Sequence, residues 1–562
     1  MQQIIECVPN FSEGRNPQII NAIKNAIETI EGIRILDIDS GKATNRTVLT
    51  FVGSPNEVIE AAFCGIQKAA ELIDMRQHIG AHPRMGSTDV CPLIPIAGIS
   101  MAETAIFAKK LAKRVADELS IPAYLYEYAQ DNPARKNLAI IRSGEYEGFF
   151  EKIKQPDWKP DFGKSIMNTR AGATVFGARD FLIAFNINLN TQSTRLANRV
   201  AFDVREAGRV KREGNPYTGP IVKDKNGEDV RIPGKLKSVK AIGWYIEEYK
   251  MAQISMNLTN TQVTPMHIAF EETRKAAYYR GLRVTGSELV GLIPLEPMLD
   301  AGRYFLKKQG LSCGVCEADL IDSAVRSMGL AELGIFDPNK KIIEYFMRNK
   351  TQSILADMTL SDFVDETARD SAAPGGGSIA ALSGALGAAL GTMVANLSAI
   401  KKGWETRLDE FSPWSEQGQI HKKALVSLID EDTRAFEQIM QAYGLPKDND
   451  IQINIRKQAI QDASKYATEV PFRTMQTAFS CIPMLKQMAE HGNPNSLSDV
   501  GVGVLCIKTA VRGAWLNVLI NAKSLDDTEW ANNIVSQART LLAKNHSMCD
   551  EIVNGIEKKL SA

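Results

Sequence analysis

The segment His78-Ile-Gly-Ala-His82-Pro83-Arg84-Met85-Gly86 places two imidazoles four positions apart, with an arginine directly beyond. The chain has only six histidines, at 78, 82, 267, 421, 491 and 546. Histidine is the side chain whose unperturbed pKa lies nearest neutral pH, so a fixed imidazole can give or take a proton. Gly80, Pro83 and Gly86 oppose a helix here and favour a turn-rich loop. They also weaken a zinc reading, because no Glu or third ligand follows in helical register. The bland alternative is a structural loop histidine.

Other groups could serve the same chemistry. Cys7-Val-Pro-Asn10-Phe-Ser-Glu-Gly14-Arg leaves a strand for a polar turn, and Leu36-Asp-Ile-Asp39-Ser-Gly41 ends a strand in acids before Asn45-Arg46. Ligand contacts collect at strand ends and loops of rigid sheets. Each motif alone reads as turn chemistry, but Asn10, Asp39, Arg46 and His82 converge in one domain. Further on, Trp158-Lys-Pro-Asp161-Phe-Gly163 leads to Arg170-Ala-Gly172-Ala-Thr-Val-Phe176-Gly177-Ala-Arg179. A Gly-rich, aromatic-edged loop suits a flat heteroaromatic ligand, its alternative being an ordinary linker. No phosphate-cradling pattern occurs in it.

These groups need elements to hold them. Strands are expected at Gln3–Val8, Ile33–Ile38, Arg46–Phe51, Val90–Ile96 and Ala123–Tyr128, with helices at Pro55–Ile73 and Met101–Leu119. The pattern restarts with a strand at Phe181–Leu189, a helix at Thr194–Glu206 and a charged insertion from Lys211 to Gly234. Strands at Val239–Ile246, Ala252–Leu258 and Arg283–Leu289 and a helix at Pro265–Arg280 complete it. The expected fold is multidomain: two α/β subdomains with facing sheets (1–179 and 180–325) enclosing a cleft, a linker at 326–357, and an all-α helical bundle at 358–562. The bundle helices are expected at Leu360–Asp370, Ser378–Ala399, Gln419–Tyr443, Ile451–Met488, Ser496–Ala522 and Glu529–Lys558.

Composition narrows the partners. Lys+Arg and Asp+Glu are both 66, so charge gives no reason to expect nucleic acid or an anionic membrane. Ser371–Ile400 carries no charge and is long enough to span a bilayer, yet it is Ala/Gly/Ser-rich and better suited to close helix packing than to insertion. The start lacks the basic and apolar regions of a signal peptide. The eight cysteines are scattered apart from Cys313-Gly-Val-Cys316, a lone pair that is weak evidence for metal. No metal is expected, and the setting is expected to be reducing and cytoplasmic.

The motifs of the first 330 residues resemble the formiminotransferase family: Cys7-Val-Pro-Asn-Phe-Ser-Glu-Gly-Arg, Asp39-Ser-Gly with Asn45-Arg-Thr-Val, the histidine segment, and Gly172-Ala-Thr-Val-Phe-Gly-Ala-Arg. Pro374-Gly-Gly-Gly-Ser, Asp430-Glu-Asp432-Thr-Arg-Ala-Phe436, Leu445-Pro-Lys447, Gly492-Asn493 and Ser498-Asp499-Val-Gly501 resemble the formiminotetrahydrofolate cyclodeaminase family. They fall in the order of a bifunctional fusion. The resemblance implies transfer of a formimino group from N-formimidoyl-L-glutamate to tetrahydrofolate, then ring closure with loss of ammonia, within histidine breakdown. It implies His82 as the proton donor, with Asp39 orienting the imidazole and Arg46 or Arg84 gripping a carboxylate. The folate loop would fall on Gly163, Lys164, Ser165, Ile166, Met167, Asn168, Thr169, Arg170, Ala171 and Gly172. One departure is Phe176, where the family loop often carries threonine.

In the bundle the resemblance implies an acid in the Asp430–Asp432 run. Asp432 is favoured over Asp430, because helical spacing puts it on one face with Phe436, an apolar wall that would keep it protonated. Without the resemblance, that run reads as a solvated helix face. Gly375, Gly376, Gly377 and Ser378 would offer backbone N–H groups to a carboxylate or pterin oxygen, and Asn493 and Asp499 would contact the ring. Tetrahydrofolate, as the monoglutamate or a polyglutamate, is the expected co-substrate, in a homo-oligomer without membrane or nucleic-acid partners. The competing classes are a formyl-glutamate transferase joined to a cyclohydrolase-like bundle, and a non-catalytic folate-binding scaffold.

Overall fold

A computed structural model describes residues 3–42, 44–80, 83–216, 218–347, 355–370 and 373–561. His82 and Ala81 lie outside these residues. The chain divides into two compact units, one of residues 1–301 and 324–347 and the other of 302–323 and 348–562.

The first unit begins with a seven-stranded sheet. Its strands are β1 (Ile4–Cys7), β2 (Asn10–Phe11), β3 (Arg34–Gly41), β4 (Arg46–Gly53), β5 (Thr88–Ala97), β6 (Ala123–Glu127) and β7 (Thr174–Ala178). Both β1 and β2 lie between β4 and β5, as two pieces of one strand interrupted at Val8-Pro9. Proline has no N–H to give a ladder, so the break falls there. β3 pairs only with β4 and forms one edge; β7 and β6 extend the other side in parallel with β5. Helices α1 (Pro17–Glu28), α2 (Pro55–Leu72) and α3 (Met101–Leu119) cover one face. Ser54 with Glu57 and Ser100 with Glu103 form capping boxes at the starts of α2 and α3, which is why these two helices are legible in the sequence. Short helices α4 (Leu138–Arg142) and α5 (Glu145–Lys152) follow β6.

Helix α1 and strand β7 went unpredicted. The expected loop through Thr174–Ala178 is instead a strand, and Phe176 is fully buried in the core. The departure at Phe176 is therefore a packing residue and presents nothing to a ligand.

A second sheet orders β8 (Ile183–Leu189), β11 (Val239–Ile246), β12 (Met251–Leu258) and β13 (Val284–Val290) as β11-β12-β8-β13, all antiparallel. Helices α6 (Thr194–Val204) and α7 (Met266–Tyr278) pack on one face, and the charged insertion forms a small ribbon of β9 (Arg209–Val210) and β10 (Arg231–Ile232). Helices α8 (Leu295–Lys308), α9 (Glu317–Met328), α10 (Pro338–Lys341) and α11 (Ile343–Met347) follow.

The second unit is all helical: α12 (Leu360–Thr367), α13 (Gly376–Ala399), α14 (Leu408–Tyr443), α15 (Asp450–Phe479), α16 (Ile482–His491), α17 (Leu497–Ala522) and α18 (Thr528–Ser561). α14 starts about three turns before the expected Gln419, running through Pro413 and Gly418. Gly418 is needed because a Cβ there would sit 2.8 Å from the Met484 sulfur. The single helix expected over Ile451–Met488 is broken at Ser480-Cys481, with Pro483 opening α16. Residues 302–323, expected with the first half, belong to this unit. Asn396 Nδ2 and Gln419 Nε2 donate to the Gly314 carbonyl at 2.8 and 3.0 Å, and Lys423 pairs with Glu317 at 2.6 Å.

α13 and α17 are each long and apolar enough to cross a membrane by length and composition. In α13 this reflects core packing. A Cβ at Gly384 or Gly387 would press on Leu425 or Ile507, so these glycines let neighbouring helices approach closely. The Cys313/Cys316 pair does not converge on one partner: Cys313 Sγ donates to the Arg303 carbonyl and Cys316 Sγ to Asp319.

Candidate functional sites

The histidine segment is tied down on both sides. A Cβ on Gly80 would collide with the Thr44 carbonyl, so glycine is required for the chain to pass. His78 Nδ1 accepts from Arg84 Nε at 3.2 Å, which leaves Nε2–H to donate to the Asn45 carbonyl at 2.9 Å. Arg84 also reaches the His78 carbonyl at 3.2 Å, Glu145 at 3.0 Å and both oxygens of Glu147 at 2.7 and 2.8 Å. The hydrogen bonds it donates to Glu147 raise the pKa of the guanidinium above its usual value. Arg84 is thus a clamp that shapes the loop, already occupied by two glutamates rather than held open for a substrate carboxylate.

Arg46 and Asn10 do come together. The Arg46 guanidinium donates to Asn10 Oδ1, and Asn10 Nδ2 donates to the Val8 carbonyl at 2.8 Å. Burial lowers the Arg46 pKa, opposed by the charge of nearby Asp89, which pairs with Arg142 at 2.7 Å. Asn45, at φ 49°, accepts from the Gly14 N–H at 3.0 Å and donates to the Ile79 carbonyl at 3.1 Å, linking the three polar turns. Asp39 sits exposed on edge strand β3 opposite Val48 and makes no hydrogen bond or ion pair among the described residues. Sequence reasoning missed Asn45 and the Glu145/Glu147 pair. A non-glycine residue in the left-handed region is a strain signal visible only in the backbone.

The Gly163–Gly172 loop closes against the base of the histidine segment. Gly172 N donates to the Asn168 carbonyl at 2.8 Å, Ser87 N to the Ala171 carbonyl at 2.7 Å, and Ala173 N to the Met85 carbonyl at 3.2 Å. At φ +75°, Gly172 leaves no room for a Cβ against Met85. Tyr146 donates to the Thr169 carbonyl at 2.5 Å and Arg170 to the Glu71 carbonyl at 2.6 Å. Met167, Ala171 and Gly172 are buried anchors, whereas Gly163, Lys164, Ser165 and Ile166 are exposed.

In the bundle, Gly375 is the N-cap of α13, and Gly377 lies directly under Asp432. A Cβ there would fall 2.5 Å from Oδ2 and closer still to Oδ1. The N–H groups that the sequence offers to a ligand carboxylate are thus facing the chain's own. Ser378 Oγ lies 3.3 Å from Asp432 Oδ2 and 2.9 Å from the Ile429 carbonyl. Burial raises the Asp432 pKa, and hydrogen bonding from the Ser378 hydroxyl and N–H offsets part of that rise. Phe436 is 40% exposed, so the elevation comes from the packing of Asp432 on the α13 terminus rather than from the expected aromatic wall.

Asp430 is engaged elsewhere, accepting the N–H groups of Leu355 and Ala356 at 2.8 and 3.4 Å. Of the two acids, Asp432 is the one placed at that terminus. Asn517, not foreseen, flanks the same loop: a Cβ on the exposed Gly376 would lie 3.6 Å from its Nδ2. Asn493 and Asp499 are not brought to this site. Asn493 N donates to Ser398 Oγ at 2.8 Å, and Ser398 is twenty residues along α13 from Ser378, about 30 Å at helical rise. Sequence motifs carry no distances, and the length of α13 between Ser378 and Ser398 separates the two regions.

Three family models match the chain: the formiminotransferase domain, N-terminal subdomain, over residues 4–179; the formiminotransferase domain over 184–348; and formiminotransferase-cyclodeaminase over 359–540. The chain is 41% identical over 560 residues to the formimidoyltransferase-cyclodeaminase of Mus musculus, covering 100% of both. It is 41% identical over 313 residues to the glutamate formimidoyltransferase of Thermoplasma acidophilum, covering 55% of this chain and 95% of that one. It is also 37% identical over 203 residues to the methenyltetrahydrofolate cyclohydrolase of Methylorubrum extorquens, covering 36% of this chain and 98% of the relative.

Proposed function

Because the chain belongs to the formimidoyltransferase-cyclodeaminase family, we propose that it carries out that family's two consecutive folate reactions of histidine degradation. It is a bifunctional enzyme, a glutamate formimidoyltransferase and a formimidoyltetrahydrofolate cyclodeaminase, with tetrahydrofolate as co-substrate. The observation that carries this is the 41% identity extending over the whole chain, both halves included.

In the transferase half, N5 of tetrahydrofolate attacks the formimino carbon of N-formimidoyl-L-glutamate. The carbon–nitrogen bond to glutamate then breaks, and N5 gives up its proton. An amide-like anion leaves poorly, so the glutamate nitrogen must receive a proton; we assign that donation to His82. Asn10, Arg46 and the exposed edge Gly163–Ile166 are the proposed substrate contacts. Arg84 positions the loop. Asp39 is proposed to face the reacting groups from its edge strand.

In the bundle, N10 of 5-formimidoyltetrahydrofolate, its formimino nitrogen entering protonated, closes on the same carbon, and ammonia departs with the proton that N10 loses, leaving the methenyl cation. Asp432, held above the ordinary carboxylate range, is the proposed acid. It protonates the leaving amine and, once ionised, takes the N10 proton, so the step closes without a metal. Gly375, Gly376 and Ser378 would line the slot; the proposed ring contacts of Asn493 and Asp499 lack support from the placement of those residues.

A second reading of the bundle as a hydrolase is favoured by the cyclohydrolase relative. Ammonia release separates the two. With tetrahydrofolate and formimidoyl-glutamate, His82→Ala is expected to abolish formimino transfer yet still convert added 5-formimidoyltetrahydrofolate. Asp432→Asn should transfer normally and accumulate that intermediate. Transfer at the wild-type rate by His82→Ala would sink the first assignment.

The finer points are also proposals. Eight free cysteines, among them Cys7 and Cys91 with sulfurs 3.5 Å apart, support a reducing cytoplasm. Exposed Leu386 and Leu397 on α13 and Val502, Leu505, Leu516 and Ile520 on α17 support a homo-oligomer. Light scattering of Leu505→Lys, Ile520→Lys should report a smaller particle. A preference for polyglutamylated folate is proposed on a cavity of about 720 Å³ lined by Lys235 and by Arg209, Arg280 and Lys275, which pair with Asp203 and Glu272 and leave the lining net positive. A lower KM for the polyglutamate than for the monoglutamate would bear it out.

A further inference from the structure

The four-stranded sheet has two unlike faces. Helices α6 and α7 cover one, where Phe185, Ile187, Ile254 and Met256 are buried. Side chains alternate along a strand, so the other face carries Asn186 and Asn188 of β8, Gln253 of β12, Glu288 of β13 and Trp244 of β11. The register sets them side by side: Gln253 lies opposite both Asn188 and Trp244, and Glu288 lies opposite Asn186.

They form one polar network. Gln253 Nε2 donates to Asn188 Oδ1 at 2.8 Å and to Glu288 Oε2 at 3.3 Å, while Gln253 Oε1 accepts from Trp244 Nε1 at 3.2 Å. Asn186 Nδ2 reaches Glu288 Oε2 at 3.4 Å and the Tyr249 hydroxyl reaches Oε1 at 3.2 Å. Asn188 and Gln253 are 1% and 0% exposed, so the network is fixed in place. Glu288 is half-buried. Its three donors are all neutral and long, and among the described residues it has no ion-pair partner. A carboxylate taken partly out of water without a cation is costly unless one arrives from outside. Exposed Trp244 lies across Gln253 from it and donates its indole N–H to that residue.

We propose that this face binds a planar amidinium, and that its occupant is the formamidinium end of formimidoyl-glutamate. A formimino group is an amidine. Protonated, it is flat and cationic, and it presents N–H donors in a fork that one carboxylate accepts with two bonds. Glu288 supplies the charge, and Trp244, through its hydrogen bond to Gln253, holds the network that presents it. The inference rests on the transferase reading of this half. The 2-amino edge of a pterin offers a similar donor fork but no charge, so it leaves the carboxylate unpaired.

The test is steady-state kinetics of the full-length enzyme, varying each substrate separately. The rate on preformed 5-formimidoyltetrahydrofolate is recorded beside it. Loss of a charge-assisted bidentate contact should raise KM for formimidoyl-glutamate about tenfold or more in Glu288→Ala and about threefold or more in Glu288→Gln. KM for tetrahydrofolate and the cyclodeaminase rate should stay within about twofold. Trp244→Leu, at an exposed position, should raise the same KM without disturbing the fold. An unchanged donor KM overturns the proposal. So does a rise confined to tetrahydrofolate, which would give the face to the pterin, or an equal fall in both activities, which would make it structural. Wild-type transfer from formimidoyl-glutamate checks the underlying reading separately.

Discussion

Gly377→Ala is a single-methyl perturbation whose outcome follows from where Asp432 sits. The added Cβ would lie 2.5 Å from Oδ2 and nearer to Oδ1, so something must move. α13 has no freedom to retreat, because Gly384 and Gly387 already pack its far sides against neighbouring helices. The moving part is the Asp432 carboxylate, the end of a half-buried side chain. Rotating outward costs it the Ser378 contacts and the favourable field of the helix N-terminus, the latter about 0.3–1 kcal/mol. Hydration recovers most of this, so we expect a stability loss of about 1 kcal/mol, near 2 °C in Tm. Catalysis is less forgiving, since misplacing a catalytic group by about 1 Å costs on the order of 100-fold. Gly555→Ala, outside the site, is the control: its Cβ would meet nothing within 4 Å and should keep activity within about threefold. The assay mixes each variant with preformed 5-formimidoyltetrahydrofolate and follows methenyl absorbance and ammonia, with formimino transfer as the internal standard. A Gly377→Ala enzyme cyclising within about threefold of wild type would refute the placement of the acid.

Other outcomes follow. Asp432→Asn should slow ammonia release by about 10²–10⁴-fold. The wild-type cyclodeaminase rate should fall as pH rises through the elevated Asp432 pKa, because the protonated form is the donor. The descending limb should vanish from the residual rate of the Asn variant; its persistence would assign the acid elsewhere. Arg84→Lys cannot contact the His78 ring, the His78 carbonyl and two glutamates together. It should lower formimino transfer about tenfold and leave cyclodeamination untouched, as separate rate assays would report. Buried Glu6 has its pKa pushed up to about 7 by burial, against the lowering charge of Arg179. A carboxyl raised in the folded state favours folding below its unfolded pKa, near 4.5, and that contribution is lost as pH climbs through about 7. Glu6→Gln should therefore gain on wild type across that window, by up to about 3 kcal/mol at pH 8 in denaturant melts. No gain at pH 8 would contradict it.

The sequence revealed those elements whose signals are local. The capping boxes at Ser54 and Ser100 and the alternation along β8 need no distant partner to be read. Strand β7 escaped because Gly172 and Gly177 look like a loop. Gly177 is required instead by Tyr126, whose ring occupies the space of a Cβ. α14 looked shorter because Pro413 and Gly418 punctuate it, and tertiary packing overrides both. For the site, residue types were legible but distances were not. Asp432 was chosen beside Phe436 by helical spacing, while its effective partner is Gly377, fifty-five positions away. Asn493 and Asp499 belong to a recognisable motif, yet the length of α13 carries them to the other end of the bundle. Arg84 carried the right chemistry for a carboxylate, but Glu145 and Glu147 had claimed it.

The central claim is that one chain performs both steps on one carbon, releasing ammonia in the second. The direct measurement incubates the wild-type enzyme with tetrahydrofolate and formimidoyl-glutamate, counting glutamate, ammonia and methenyltetrahydrofolate over time. The prediction is equal amounts of all three, with glutamate appearing first. Glutamate without ammonia, or equal turnover of formyl-glutamate, would contradict it.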